Sequence, residues 1–156
     1  MHKPLIGIAV LVLLVSSSAC FTVTPPTAAT QADCENALRE FAKIRPDAFS
    51  LDEWADWKWA KALRFNGLPV GPDLRSQTIS KSAYVKSITQ GQPVAPYFSK
   101  GLEHSFLSWS HGKAYIGWED TRRDETADFR RHDRNSDGWV TRDECALSIL
   151  PPPSLG

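Results

Sequence analysis

An all-α fold is predicted for the chain on three observations. Apolar residues recur at steps of three and four in several stretches, Pro and Gly interrupt the chain between them, and only one short segment looks extended. The 156 residues are enough for one compact domain and hardly for two. Hydrophobic residues make up 42% and charged residues 23%, which suits a packed chain rather than a disordered one. Lys plus Arg and Asp plus Glu both number 18, so a nucleic-acid partner gripped by bulk positive charge is excluded. Three Cys are too few for a disulfide-dense miniprotein or a four-Cys zinc ribbon.

The first segment reads as an address. Lys3 precedes the apolar run Leu5–Val15, and Ser16 to Cys20 follow. Eleven apolar residues fall short of the roughly 20 needed to span a bilayer. Positive start, apolar stretch and small residues are the order of a signal peptide over 1–19. Val15 to Cys20 resembles the lipobox of bacterial lipoproteins, although Ser17 stands where that family usually has an aliphatic residue. The resemblance implies lipidation of Cys20 and attachment to a membrane; the alternative is plain cleavage near Ala19. Residues 20–32, rich in Thr, Pro and Ala and free of charge, read as a tether. The expected location is the periplasm or cell envelope. With Cys20 acylated, Cys34 and Cys145 remain to pair in an oxidising compartment. Two unpaired small core residues are the alternative.

The folded region is expected over 33–150. Cys34, Ala37, Leu38, Phe41 and Ala42 form one helical face, with Asp33 as N-cap and Pro46 as terminator. Ser50 and Glu53 have the spacing of a capping box, and Leu51, Trp54, Ala55, Trp59, Ala62 and Leu63 line the helix that follows until Asn66-Gly67. Trp57 falls off that stripe and is expected at the surface. A short helix is expected over 80–90. Pro93 and Pro96 break the pattern over 91–101. Residues 113–116 read as a short extended piece, 119–132 as a polar helix anchored by Phe129, and a last helix begins near Thr141. A disordered tail is expected over 151–156.

One motif carries chemistry. Asp133, Asn135, Asp137, Gly138 and Glu144 fit Asp-x-[Asp/Asn]-x-[Asp/Asn]-Gly, five residues, then Glu. Here the chain resembles the EF-hand family of helix–loop–helix calcium modules, over all the loop positions and both flanking helices. Ca²⁺ is a hard cation that takes about six to eight oxygens. The resemblance implies that Asp133, Asn135 and Asp137 converge on it, Trp139 offers its backbone carbonyl, Thr141 binds directly or through a water, and Glu144 supplies two oxygens. Gly138 permits the sharp turn. Val140 is expected to make a small β-contact with a neighbouring loop, because the family's hands come in pairs. Three carboxylates with Arg130, Arg131, Arg134 and Arg142 nearby suggest a dissociation constant of about 10⁻⁶ to 10⁻⁴ M. A long bidentate Glu favours Ca²⁺ over Mg²⁺.

Three stretches resemble worn copies of the loop. Phe49 to Glu53 keeps the second half, Ile79 to Ala83 has Ala where Glu is needed, and Tyr115 to Asp120 lies just before the good loop and is the expected partner. None is expected to bind calcium. The implied architecture is an EF-hand-like domain with one intact loop and degenerate partners; the alternative is one hand on an unrelated helical bundle. His104, His111 and His132 lack zinc-site spacing, and Ser105, Ser108 and Ser110 lack a nucleophile elbow, so no enzyme is expected. The functional expectation is calcium binding in an exported, lipid-anchored protein, in a structural or sensor role. The alternative is an envelope adaptor that meets an unidentified protein or a glycan through Trp residues, with Trp57 and Trp139 as its contacts and calcium as a staple.

Overall fold

The computed structural model describes residues 28–146. The expected signal segment, Cys20, most of the expected tether, the expected course of the last helix beyond residue 146 and the expected 151–156 tail lie outside the described residues. Six helices and four very short strands follow in the order α1 (Ala28–Phe41), β1 (Ala48–Phe49), α2 (Leu51–Phe65), β2 (Thr78–Ser80), α3 (Lys81–Thr89), α4 (Pro96–Trp109), β3 (Tyr115–Gly117), α5 (Trp118–His132), β4 (Val140–Thr141) and α6 (Arg142–Ala146). A 3₁₀ turn spans Leu74–Ser76 between α2 and β2. Among the described residues no helix is long and apolar enough to cross a membrane.

The helix starts follow local chemistry. Ser50 caps α2: its hydroxyl accepts the Glu53 N–H while the Glu53 carboxylate accepts the Ser50 N–H. The helix ends at Asn66, and Gly67 follows at φ +69°, a left-handed turn where a side chain would be strained. α1 begins at Ala28, so Asp33 lies inside it rather than capping it, and the last residues assigned to the tether are helical. α4 was not expected. Pro93 and Pro96 read as breakers, yet Pro96 sits in the first turn, where its missing N–H has no partner to lose. Leu102 and Phe106, one turn apart, bury its inner face.

Helix α2 is central because it has two buried faces. Trp54 and Ala60 join Cys34, Leu38, Phe41, Phe49, Phe129 and Val140 in one core. Ala55, Trp59 and Leu63 join Ile79, Tyr84, Phe106, Ile116 and Trp118 in the other. Each indole needs a partner for its N–H when buried. Trp59 donates to the Leu74 carbonyl at 2.9 Å, Trp118 to Asp56 at 2.8 Å and Trp54 to Glu125 at 3.3 Å. The last two bonds, with Arg122 on Asp52 and Lys58 on Asp128, tie α2 to α5.

The strands form two separate antiparallel pairs. β1 pairs with β4, Phe49 opposite Val140, and β2 pairs with β3, Ile79 opposite Ile116. The Sγ atoms of Cys34 on α1 and Cys145 on α6 lie at disulfide distance, at a sequence separation of 111. The first and last described helices are thereby joined beside the β1–β4 pair.

Candidate metal centre

The loop from Asp133 to Glu144 connects α5 and α6. Asp133 caps the C-terminus of α5, its N–H donating to the Phe129 carbonyl at 2.9 Å. Ser136 at φ +56° and Gly138 at φ +85° curl the chain back over that end. The curl brings backbone donors under the acidic side chains. Asp133 accepts the N–H of Asp137 on Oδ1 at 3.0 Å and that of Gly138 on Oδ2 at 2.9 Å. Asn135 Oδ1 also accepts the Asp137 N–H, its amide donates to Asp137 Oδ2, and Asp137 Oδ1 accepts the Trp139 N–H. Three oxygen-bearing side chains, Asp133, Asn135 and Asp137, therefore cluster on one turn of backbone.

Glu144 reaches back across the loop from α6. Its Oε1 accepts the Arg134 N–H at 3.1 Å, and its Oε2 accepts the N–H and hydroxyl of Thr141 at 2.9 and 2.8 Å. Burial pushes its pKa up, but the Thr141 N–H and hydroxyl and the Arg134 and Asn135 N–H groups outweigh this and hold it below the usual glutamate value. Asp133 and Glu144 are 8% and 9% exposed, whereas Asn135 and Asp137 face solvent. In this arrangement the loop's oxygens are taken up by its own N–H and O–H groups. Among the described residues, no three His, Cys, Asp or Glu side chains gather as a ready-made cation cage. The donor set itself, carboxylates with one amide and one hydroxyl, is the hard-oxygen type that suits Ca²⁺ and not a soft metal.

The neighbouring loop is not the expected one. Val140 pairs with Phe49, so the partner is the stretch before α2, far earlier in the sequence, and the Tyr115 loop pairs with the Ile79 loop instead. The packing of α2 against α5 sets this choice, since each of these helices leaves one loop and enters the next. Arg45 of the partner loop lies over the Trp139 ring at 4.9 Å, and the Arg142 N–H donates to the Asp47 carbonyl at 3.2 Å. Of the four basic residues expected near the loop, Arg131 is paired with Asp128 at 2.7 Å.

Aligned on the paired apolar residues Phe49, Ile79, Ile116 and Val140, the residue four positions further on is Glu53, Ala83, Asp120 and Glu144. Three of the four loops thus carry a carboxylate at one structural place. Glu53 accepts the N–H groups of Lys43 at 2.5 Å, Ile44 at 2.8 Å and Ser50 at 2.9 Å, and the Ser50 hydroxyl. Its role was half visible in the capping-box spacing; the grip on Lys43 and Ile44 was not.

The remaining candidates separate. His111 pairs with Asp124 at 3.0 Å, His104 is exposed, and His132 packs on Trp54 at 4.7 Å with Nδ1 at 2.8 Å from the Asp128 carbonyl. The Ser105 hydroxyl meets Tyr84, and the Ser110 hydroxyl bonds to the Lys113 carbonyl. The Trp side chains are committed to packing. Trp57 is half-buried and stacked on Phe49 at 5.6 Å, contrary to its expected exposure, and Trp139 is half-buried under Arg45. No protein-family model matches the chain, and neither the curated proteins nor the solved structures yield a match.

Proposed function

We propose that this chain is a calcium-binding protein of the EF-hand type with one working loop, and not an enzyme. The observation that carries the reading is the curl of Asp133–Gly138, which groups Asp133, Asn135 and Asp137 on one turn while Glu144 faces them from the exit helix. Asp133, Asn135, Asp137, the Trp139 carbonyl, Thr141 and Glu144 would hold the ion. Calcium supplies a hard dication that neutralises the three carboxylates. Glu144 would exchange the Arg134 and Thr141 donors for the metal, and the loss of those bonds keeps affinity modest, at about 10⁻⁶ to 10⁻⁴ M. A structural role suits the reading better than a sensor role, because the loop's partner already holds its closing carboxylate on backbone N–H groups.

Calorimetric titration of the mature protein should give one calcium per chain in the micromolar range. The Glu144→Ala variant should bind at least about tenfold more weakly. Trp139 sits inside the loop, so its emission should change over the same calcium range. No uptake at millimolar calcium by a folded protein, or equal uptake by Glu144→Ala, would end this reading.

The export reading proposes a membrane-attached mature chain that starts at lipidated Cys20, with calcium and an envelope protein as its partners. Mass spectrometry of the membrane-extracted protein should find an acylated N-terminal Cys20. A mature chain that starts after Cys20, or that keeps residues 1–19, removes the anchor.

A further inference from the structure

We propose that the third loop carries its own cation: the Lys113 ammonium neutralises Asp120 in the place where Glu53 is satisfied by backbone N–H groups and where Glu144 closes the fourth loop. The inference is independent of whether the fourth loop takes calcium.

Asp120 is fully buried, with 0% exposure. It stands four residues after Ile116, as Glu53 stands after Phe49 and Glu144 after Val140. Its Oδ2 accepts the Gly117 N–H at 2.9 Å, the counterpart of Ser50 N–H on Glu53 and Thr141 N–H on Glu144. There the likeness ends. A glutamate is long enough to reach the start of its loop, and Glu53 takes two N–H groups nine and ten residues back. Aspartate is one methylene shorter, and Asp120 takes none there. Instead Lys113 reaches in from a half-exposed position and puts its Nζ 2.6 Å from Oδ2. Asp120 Oδ1 is left buried with no hydrogen-bond partner among the described residues. A buried carboxylate without a nearby cation is costly, so the ammonium is the group that lets this loop close with its charge inside.

Of the other charges on the packed elements, Glu119 and Arg123 are exposed, and the rest that lie near have other partners. Asp124 is taken by His111, Arg122 by Asp52, Arg75 by Asp56, and Lys81 by Glu103. Lys113 also approaches the Tyr115 ring at 5.5 Å, so a packing role has to be told apart from a charge role.

The test uses Lys113→Met, which keeps the stem and removes the charge, in the full mature chain. Without the ammonium, the Asp120 carboxylate is buried with no cation beside it. The melting temperature of Lys113→Met should fall at least about 5 °C below that of the parent at pH 7. Adding Asp120→Asn to Lys113→Met should recover most of that loss. A loss that survives Asp120→Asn, or no loss at all, overturns the proposal. If Lys113→Met does not fold, the Lys113→Met/Asp120→Asn double variant must fold, and its failure to do so overturns the proposal equally.

Discussion

Glu53→Ala is expected to destabilise the protein by about 3 kcal/mol. The Glu53 carboxylate is 4% exposed and gathers three backbone N–H groups and one hydroxyl from both ends of the first loop. Hydrogen bonds to a charged acceptor contribute about 1.5–3 kcal/mol each, and removing the acceptor leaves the Lys43 and Ile44 N–H groups without it. The loss should show in urea denaturation as a lower midpoint at unchanged slope. A pH dependence goes with it. Burial raises the Glu53 pKa, but the Ser50, Ile44 and Lys43 N–H groups and the Ser50 hydroxyl together hold it below its ordinary value of 4.5. A depressed folded-state pKa means that this share of stability is complete above the ordinary value and is lost as pH falls through the folded one. Glu53→Gln should lose less at neutral pH than Glu53→Ala and should show a shallower acid decline than the parent. A parent and a Glu53→Gln variant with parallel acid limbs would show that the carboxylate's charge is not what the loop uses.

What was readable in the sequence was local. The twelve positions of the fourth loop, the Ser50–Glu53 cap of α2 and the apolar stripe of α2 each depend on residues within a turn or two, so spacing exposes them. The helical class follows from the same short-range periodicity. The partner of the fourth loop was not readable, because pairing of Phe49 with Val140 depends on how α2 packs on α5, through Trp54, Trp118, Lys58 and Arg122. Nearness in sequence pointed to the Tyr115 loop instead. Asp120 was hidden for a related reason. Only the register of Ile116 against Ile79 shows that it stands where Glu53 and Glu144 stand. Pro96 misled in the opposite sense, since a residue that stops a helix from inside is at home in the first turn of α4. In physical terms, one structural place holds three carboxylates met in two ways: Glu53 and Glu144 by backbone N–H groups and one hydroxyl each, and Asp120 by one N–H and the Lys113 ammonium.

Separating Cys34 from Cys145 should have the largest effect on stability of any change considered. The two sulfurs join α1 to α6 across 111 residues of chain. Closing a loop of that size restricts the unfolded ensemble by about 4 to 5 kcal/mol on the chain-entropy account, with engineered and natural cases usually somewhat lower. The native state has its own reason to depend on the link. α6 is short over its described residues, Arg142–Ala146, and Glu144 and Cys145 are adjacent within it. Cys34 and Cys145 are also 2% and 1% exposed, so serine in their place would put hydroxyls into the core. The cleaner variant is therefore Cys34→Ala/Cys145→Ala, compared with the parent under oxidising and reducing conditions. The expected drop in melting temperature is more than about 10 °C. The same comparison bears on the fourth loop. The link holds the helix that presents Glu144, so on the calcium reading its loss should weaken ion uptake several-fold even at temperatures where the rest of the chain is folded. A large loss of stability with unchanged calcium affinity would mean that the β1–β4 pair and the Thr141 cap alone position Glu144, and that the link serves the fold without serving the site.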